Sequence, residues 1–416
     1  MELQKLFNNS AEFLAISLPD YKRELYGTLS WEDGCVAIIG PRGVGKTTLL
    51  LQRLQSLALP SEEALYADLG DLFFVENRLI DFAQTFANQG GRYLFLDEVH
   101  RYPHGTWAQE IKAIYDRLRQ KLKIVFTGSS LLKILNDKAD LSRRVLSYRL
   151  AGLSFRAYLQ LNHKLELPII ALEDLLFKRS GYIKKNKAII DQIHLGQFST
   201  YLKSGYYPFF LEKKEGYNNR LNAIVRIVLE SDMQYLNEES NNLSIKLSRL
   251  LAAIADRVPF KPNLSKLAER LELNRNRLTN YLDILERAQL IIGVKAESKG
   301  LSSVGKPDKI YLDNPNLIYA LSPQHAKIGS VRETFFINQL SQLTHSIVLN
   351  PPHISVPKSG DFVFKKGDKR FVFEVGGPSK KAKQIDLETG ANYLAVDELN
   401  SGVAHRIPLW MFGLLY

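Results

Sequence analysis

Residues 40 to 48 read GPRGVGKTT, and side chains of these types at this spacing are suited to gripping an anion. Gly40, Gly43 and Gly45 let backbone N–H groups turn toward a phosphate without Cβ clashes. Lys46 is placed to reach β- and γ-phosphates, and the Thr47 hydroxyl to ligate Mg²⁺. The apolar run Cys35 to Ile39 precedes this loop, and Leu49, Leu50 and Leu51 follow it. The order is therefore strand, phosphate loop, helix, and the helix starting near Lys46 adds the positive end of its dipole. Gly40, Arg42, Gly43, Val44, Gly45, Lys46, Thr47 and Thr48 are the expected nucleotide contacts.

A second chemical motif is YLFLDE, residues 93 to 98. Its apolar residues predict a buried strand whose carboxylates emerge at the C-terminal end, where ligands bind in open α/β sheets. Asp97 fits a Mg²⁺ partner acting beside Thr47, and Glu98 fits a base that polarises the attacking water. In KIVFTGSS, residues 123 to 130, Thr127 or Ser129 would stand beside the γ-phosphate; helix capping is the other reading of Ser129 or Ser130. Arg143 and Arg144 precede a last strand at residues 145–150. An arginine there would either complete the site of a neighbouring subunit or lie on a solvated surface.

These residues need a scaffold to bring them together. Strand and helix signals alternate from Cys35 to Thr127, with extended stretches at 35–39, 64–69, 93–96 and 124–127 and helices near 46–57, 76–88 and 107–122. Such alternation predicts a parallel sheet covered by helices on both faces. Residues 21–29 predict a helix packed onto this domain. Residues 160–240 have helical spacing suited to a lid over the nucleotide. Farther on, Leu264 to Leu271, a turn at 272–274 and a helix from Arg275 to about Gln289 have helix-turn-helix spacing. Extended pieces at 290–292 and 309–312 would pair as a wing. Arg275, Arg277 and Asn280 would face out near the start of the second helix, where such modules meet phosphates and base edges. Over residues 243–313 Lys and Arg number 13 and Asp and Glu 8, an excess of five. That excess permits DNA, while packing inside an ATPase is the alternative use of such a module.

GPRGVGKTT, FLDEVHRYP, IVFTGSS, RRVLSYRLAGLSF and GYYPFF, in this order over nearly the whole chain, resemble the ATPases of the AAA superfamily predicted in bacteria and archaea, close to the signal-transduction NTPases. The resemblance implies ATP as nucleotide and Glu98 as the water-activating residue. It also implies a finger-like role for Arg144, and places Gly205 and Pro208 near the adenine. The implied fold is α/β: a P-loop NTPase parallel sheet (1–159) with a helical lid (160–242), then a winged helix-turn-helix (243–313) and a C-terminal α/β restriction-endonuclease-like domain (314–416). Ala157 departs from the pattern, where Glu often follows the Ser-Phe-Arg element.

Glu333, Asp361 and Glu374 resemble the nuclease core of restriction-type enzymes, in which two carboxylates hold Mg²⁺ and a lysine stands two residues after the second acid. Here that position is Gly376, and Lys380 and Lys381 lie too far along for the same strand geometry. The domain is therefore expected to lack nuclease activity and to bind DNA or protein; a displaced lysine is the open alternative.

Composition narrows the rest. The 416 residues carry a net charge of +11, which favours polyanionic partners, and one cysteine, Cys35, which excludes an internal disulfide framework and a cysteine metal site. Neither a membrane span nor a signal peptide is expected, and the expected location is the cytoplasm. His100 and His104 have the spacing of a helical metal pair, but Pro103 between them opposes a continuous helix. The expected cofactors are ATP and Mg²⁺. DNA, a protein partner and further copies of the chain stay open as partners.

Overall fold

Cys35–Ile39 (β1) is buried at every position, and a strand that is apolar throughout needs cover on both faces, the usual condition of a parallel sheet. The computed structural model describes residues 2–128, 141, 143–212, 215–230, 243–297, 307–345, 352–380, 391–398 and 405–416. Its residues form two compact units, one mainly Met1–Ala151 and the other Gly152–Leu229 with Glu238–Tyr416.

In the first unit β1 is joined by β2 (Ala64–Asp68), β3 (Tyr93–Asp97), β4 (Lys123–Gly128) and β5 (Leu146–Arg149). The order is β2-β3-β4-β1-β5, and every neighbouring pair is parallel. Parallel pairing brings the C-terminal ends of β1, β3 and β4 to one edge, where Ile39 pairs with Gly128 and Asp68 with Asp97. The helix Lys46–Leu57 buries Leu49, Leu50 and Leu54. The helix Leu79–Asn88 buries Leu79, Phe82, Ala83, Phe86 and Ala87, a stripe spaced by three and four residues.

The single helix expected over 76–88 is two, Phe73–Glu76 and Leu79–Asn88, separated by extended backbone at Asn77 and Arg78. The second helix starts afresh because its first amides have partners from elsewhere. Leu79 N donates to the Tyr102 hydroxyl at 2.9 Å and Ile80 N to Glu110 Oε2 at 3.1 Å. These bonds satisfy groups that a helix start leaves open.

In the second unit the helices Leu264–Arg270 and Arg275–Arg287 are capped by Asn263 and Asn274, whose side chains accept from Lys266 N and Arg277 N. The antiparallel pair β6 (Ile291–Ala296) and β7 (Lys309–Leu312) follows. It is continuous with β8 (His353–Val356), β9 (Phe362–Lys366), β10 (Lys369–Gly376), β11 (Asn392–Val396) and β12 (Arg406–Pro408). The seven strands run β12-β11-β10-β9-β8-β6-β7. The helix Ile328–Gln342 is buried along most of its length, and Phe336 packs its ring against Phe362, Phe373 and Phe412.

One buried amide ties several segments of this unit together. Asn316 Oδ1 accepts from Tyr206 N at 2.8 Å and the Tyr217 hydroxyl at 2.6 Å, while its Nδ2 donates to the carbonyls of Tyr201 at 3.0 Å and Leu202 at 2.8 Å. Two donors and two acceptors are thus all used. Asn316→Leu would strand these partners without water, and we expect a loss of about 2–4 kcal/mol, read as a lower denaturant midpoint. An unchanged midpoint would show that the network adds nothing to stability.

Candidate functional site

The phosphate loop sits between β1 and the helix Lys46–Leu57, and its backbone takes shapes that glycine permits. Gly43 and Gly45 have φ of 84° and 98°, in the region that side chains disfavour. A Cβ on Gly40 would stand 2.1 Å from the Leu150 carbonyl oxygen, so only glycine fits beside the segment that follows β5. Val44 is fully buried and anchors the loop from beneath. Lys46 is also buried, and its Nζ donates to the carbonyls of Gly40 at 3.0 Å and Pro41 at 2.9 Å. Thr48 is half-buried in the first helical turn.

Asp97, at the end of β3, is the hub of the site. Its Oδ2 accepts from Thr47 Oγ1 at 2.6 Å and from the Tyr66 hydroxyl at 2.9 Å. Its Oδ1 accepts from Thr127 Oγ1 and, at 3.2 Å, from Glu98 N. The structure therefore brings together the loop, the end of β3 and the end of β4, as the sequence motifs imply. Thr127 is buried, and its hydroxyl also accepts from Glu98 N at 3.1 Å. That hydroxyl is engaged within the protein, by Asp97 and Glu98. Ser129 lies outside the described residues.

Glu98 has a left-handed backbone, φ 51°, uncommon for a residue with a Cβ. Its carboxylate pairs with Arg42 at 3.1 Å and lies 3.5 Å from His100 Nε2. The ion pair joins the phosphate loop to the expected base. Spacing assigns Arg42 only to the nucleotide, since a contact across 56 residues leaves no local pattern, and weighs His100 only as half of a metal pair. Tyr66 was missed as well; the sole hint is a hydroxyl-bearing ring in an otherwise apolar strand, ALYAD.

Arg144 forms a two-pronged pair with Asp116, Nε to Oδ1 at 2.7 Å and Nη2 to Oδ2 at 3.0 Å. The hydrogen bond from Arg144 holds the Asp116 carboxyl below its usual range. Any role in another subunit's site would require this fork to open. Pro208 belongs to the second unit, where it begins the short 3₁₀ turn Pro208–Leu211 and is half-buried. The neighbouring Gly205, Tyr206 and Tyr207 are buried there, and a Cβ on Gly205 would meet Tyr201 and Tyr158.

Residues 32–159 match the family model described as an AAA domain. The matched stretch contains the parallel five-stranded sheet and its phosphate loop. Residues 195–327 match a model described as a domain of unknown function. An uncharacterized protein of Methanocaldococcus jannaschii is 29% identical over 287 residues, 66% of this chain and 59% of that protein. The match thus spans about three-fifths of that relative's length. Among solved structures, RuvB of Thermotoga maritima is similar at 15% identity, covering 70% of this chain and 89% of that one with a TM-score of 0.30. AMPPCP-bound DnaA of Aquifex aeolicus is similar at 14% identity over 63% and 84%, with a TM-score of 0.27. No helix among the described residues is long and apolar enough to cross a membrane.

The second unit holds another cluster of ionisable groups, and here the arrangement is that of the displaced lysine left open above. Lys380 lies beyond the end of β10, yet its Nζ pairs with Glu374 Oε1 at 2.9 Å. The chain turns back after β10, with Lys380 N donating to the Gly377 carbonyl at 2.9 Å. A Cβ on Gly376 would lie 2.6 Å from Lys380 Cγ, so the lysine stem fills the space that a side chain at 376 would occupy. Asp361 Oδ2 accepts from Val375 N at 2.8 Å, and Glu333 Oε2 from the Tyr311 hydroxyl at 2.8 Å. Burial, reinforced by the charge of Asp361, raises the Glu333 carboxyl above its usual range. The bond to Glu374 raises the Lys380 ammonium, with Asp361 and Glu333 adding to it. Glu374 is 1% exposed, and its Oε2 has no hydrogen-bond partner among the described residues.

Proposed function

We propose that the chain is an ATPase that hydrolyses MgATP in its AAA-type domain. The observation that carries this reading is the convergence of Thr47, Asp97 and Glu98 at the C-terminal edge of the sheet, beside a glycine-shaped loop holding Lys46. The first-turn amides of the helix Lys46–Leu57 and the Lys46 ammonium would take the phosphates. A hydroxyl and a carboxylate are the hard oxygen donors that Mg²⁺ prefers, and the Thr47–Asp97 pair fits it. Bound there, Mg²⁺ would offset charge building on the β- and γ-phosphate oxygens. Glu98, oriented by Arg42, accepts a proton from water as the water oxygen attacks the γ-phosphorus; the bond to the bridging oxygen breaks and ADP leaves. Phosphate release by the purified protein, with and without DNA at two salt concentrations, tests the reading. Stimulation by DNA that fades as salt rises would point to phosphate contacts, with Arg275 and Arg277, both exposed, as first candidates. No phosphate release under any condition would refute the ATPase.

The Lys380–Glu374 pair favours a second reading for the other unit, Mg²⁺-dependent hydrolysis of a phosphodiester. Among the described residues no three His, Cys, Asp or Glu side chains form a ready metal cage, but Mg²⁺ commonly takes one or two carboxylates and completes its shell with water and phosphate oxygens. Asp361 and the open Oε2 of Glu374 would be the two. Incubating DNA and RNA with Mg²⁺ and no ATP should give cleavage that Glu374→Gln abolishes and Lys380→Gln lowers about 10- to 100-fold, the usual cost of losing a ligand's partner. Uncut nucleic acid, or cutting that survives both changes, would refute this second activity.

A further inference from the structure

The strand next to β3 supplies a group that neither the motifs nor the family match assigns. Tyr66, on β2, is 4% exposed and directs its hydroxyl at Asp97 Oδ2, 2.9 Å away. Thr47 donates to that same oxygen at 2.6 Å. The other oxygen of the carboxylate is taken by Thr127 and by Glu98 N. Asp97 is thus held on both sides, and the Thr47 side is the one where the hydroxyl would meet a metal.

We propose that Tyr66 is a positioning residue for the metal site: by donating to Asp97 Oδ2 it fixes the carboxylate in the rotamer that lets Asp97 and Thr47 act together on Mg²⁺. The inference rests on the ATPase reading and deepens it. Two observations support it. The ring is set independently of the site, since it packs against Phe13 with centroids 4.7 Å apart and its backbone N–H donates to Ser10 Oγ at 3.1 Å. The strand register pairs Tyr66 with Phe95 and Asp68 with Asp97, so the hydroxyl arrives from a rigid neighbour and not from a loop. A carboxylate that lost this donor would lose one of the bonds that orient it, and groups that orient metal ligands typically matter by 10- to 100-fold.

The test is Mn²⁺ uptake by the full chain in the presence of ADP, followed by electron paramagnetic resonance, for wild type and Tyr66→Phe. Phenylalanine keeps the ring against Phe13 and removes only the hydroxyl. The expected result is a half-saturating Mn²⁺ concentration raised about 10- to 100-fold, with metal-free ADP affinity unchanged. Excess Mg²⁺ should restore turnover in the variant. An unchanged Mn²⁺ midpoint would overturn the proposal, as would an equal fall in metal-free ADP affinity, which marks a general structural role. If wild type itself took up neither ADP nor Mn²⁺, the ATPase reading would fail first, which is a separate outcome.

Discussion

Glu98→Gln is expected to lower ATP turnover about 10²- to 10⁴-fold, the usual worth of a positioned general base, while ATP is still bound. The glutamine amide has the same shape, still accepts from Arg42 through its oxygen and places no new demand on the left-handed backbone at Glu98. What it lacks is a carboxylate able to take the proton of water. The loss should therefore appear in kcat. Nucleotide affinity should be held, because the loop amides, Lys46 and Thr47 are untouched. Phosphate release and calorimetric ATP uptake, measured on the same preparation, separate the two quantities. Turnover equal to wild type would remove Glu98 from the mechanism. Loss of binding together with turnover would show that the Arg42–Glu98 pair shapes the loop and that Glu98 is structural.

The parts of this site that lie close together in the chain were legible in the sequence. GPRGVGKTT is a local device: its glycines, lysine and threonine act within nine residues, and the flanking apolar runs name the strand and the helix. β3 was legible for the same reason, since YLFL declares a buried strand and Asp97 and Glu98 follow directly. What stayed hidden depends on contacts between distant residues. Tyr66 reaches Asp97 across 31 positions and Arg42 reaches Glu98 across 56, and no spacing rule encodes either contact. The lysine of the second unit failed differently. A fixed offset from Glu374 pointed to Gly376, whereas the chain turns and returns Lys380 to the same carboxylate, the glycine leaving room for it. The break at Asn77 and Arg78 escaped notice because the amides that start the next helix are satisfied by Tyr102 and Glu110, again from afar. A periodic apolar pattern continues through such a break without a mark.

Lys46→Ala should weaken ATP binding about 30- to several-thousand-fold, the 2–5 kcal/mol that follows removal of one partner from a buried, hydrogen-bonded charge pair. The ammonium is buried and already directed along the loop by the carbonyls of Gly40 and Pro41. Little side-chain entropy is therefore lost when it meets phosphate. Alanine would leave those carbonyls without this donor and the phosphates without their nearest cation. The loop glycines and the first-turn amides would remain, so some affinity should persist. The effect should be larger for ATP than for ADP if the ammonium reaches the γ-phosphate, and equal for both if it serves the β-phosphate alone. Calorimetry with each nucleotide distinguishes these cases, and a melt without nucleotide checks that the loop still folds. Equal ATP uptake by wild type and Lys46→Ala would mean that the loop does not hold a triphosphate, and the roles of Thr47, Asp97 and Glu98 would fall with it.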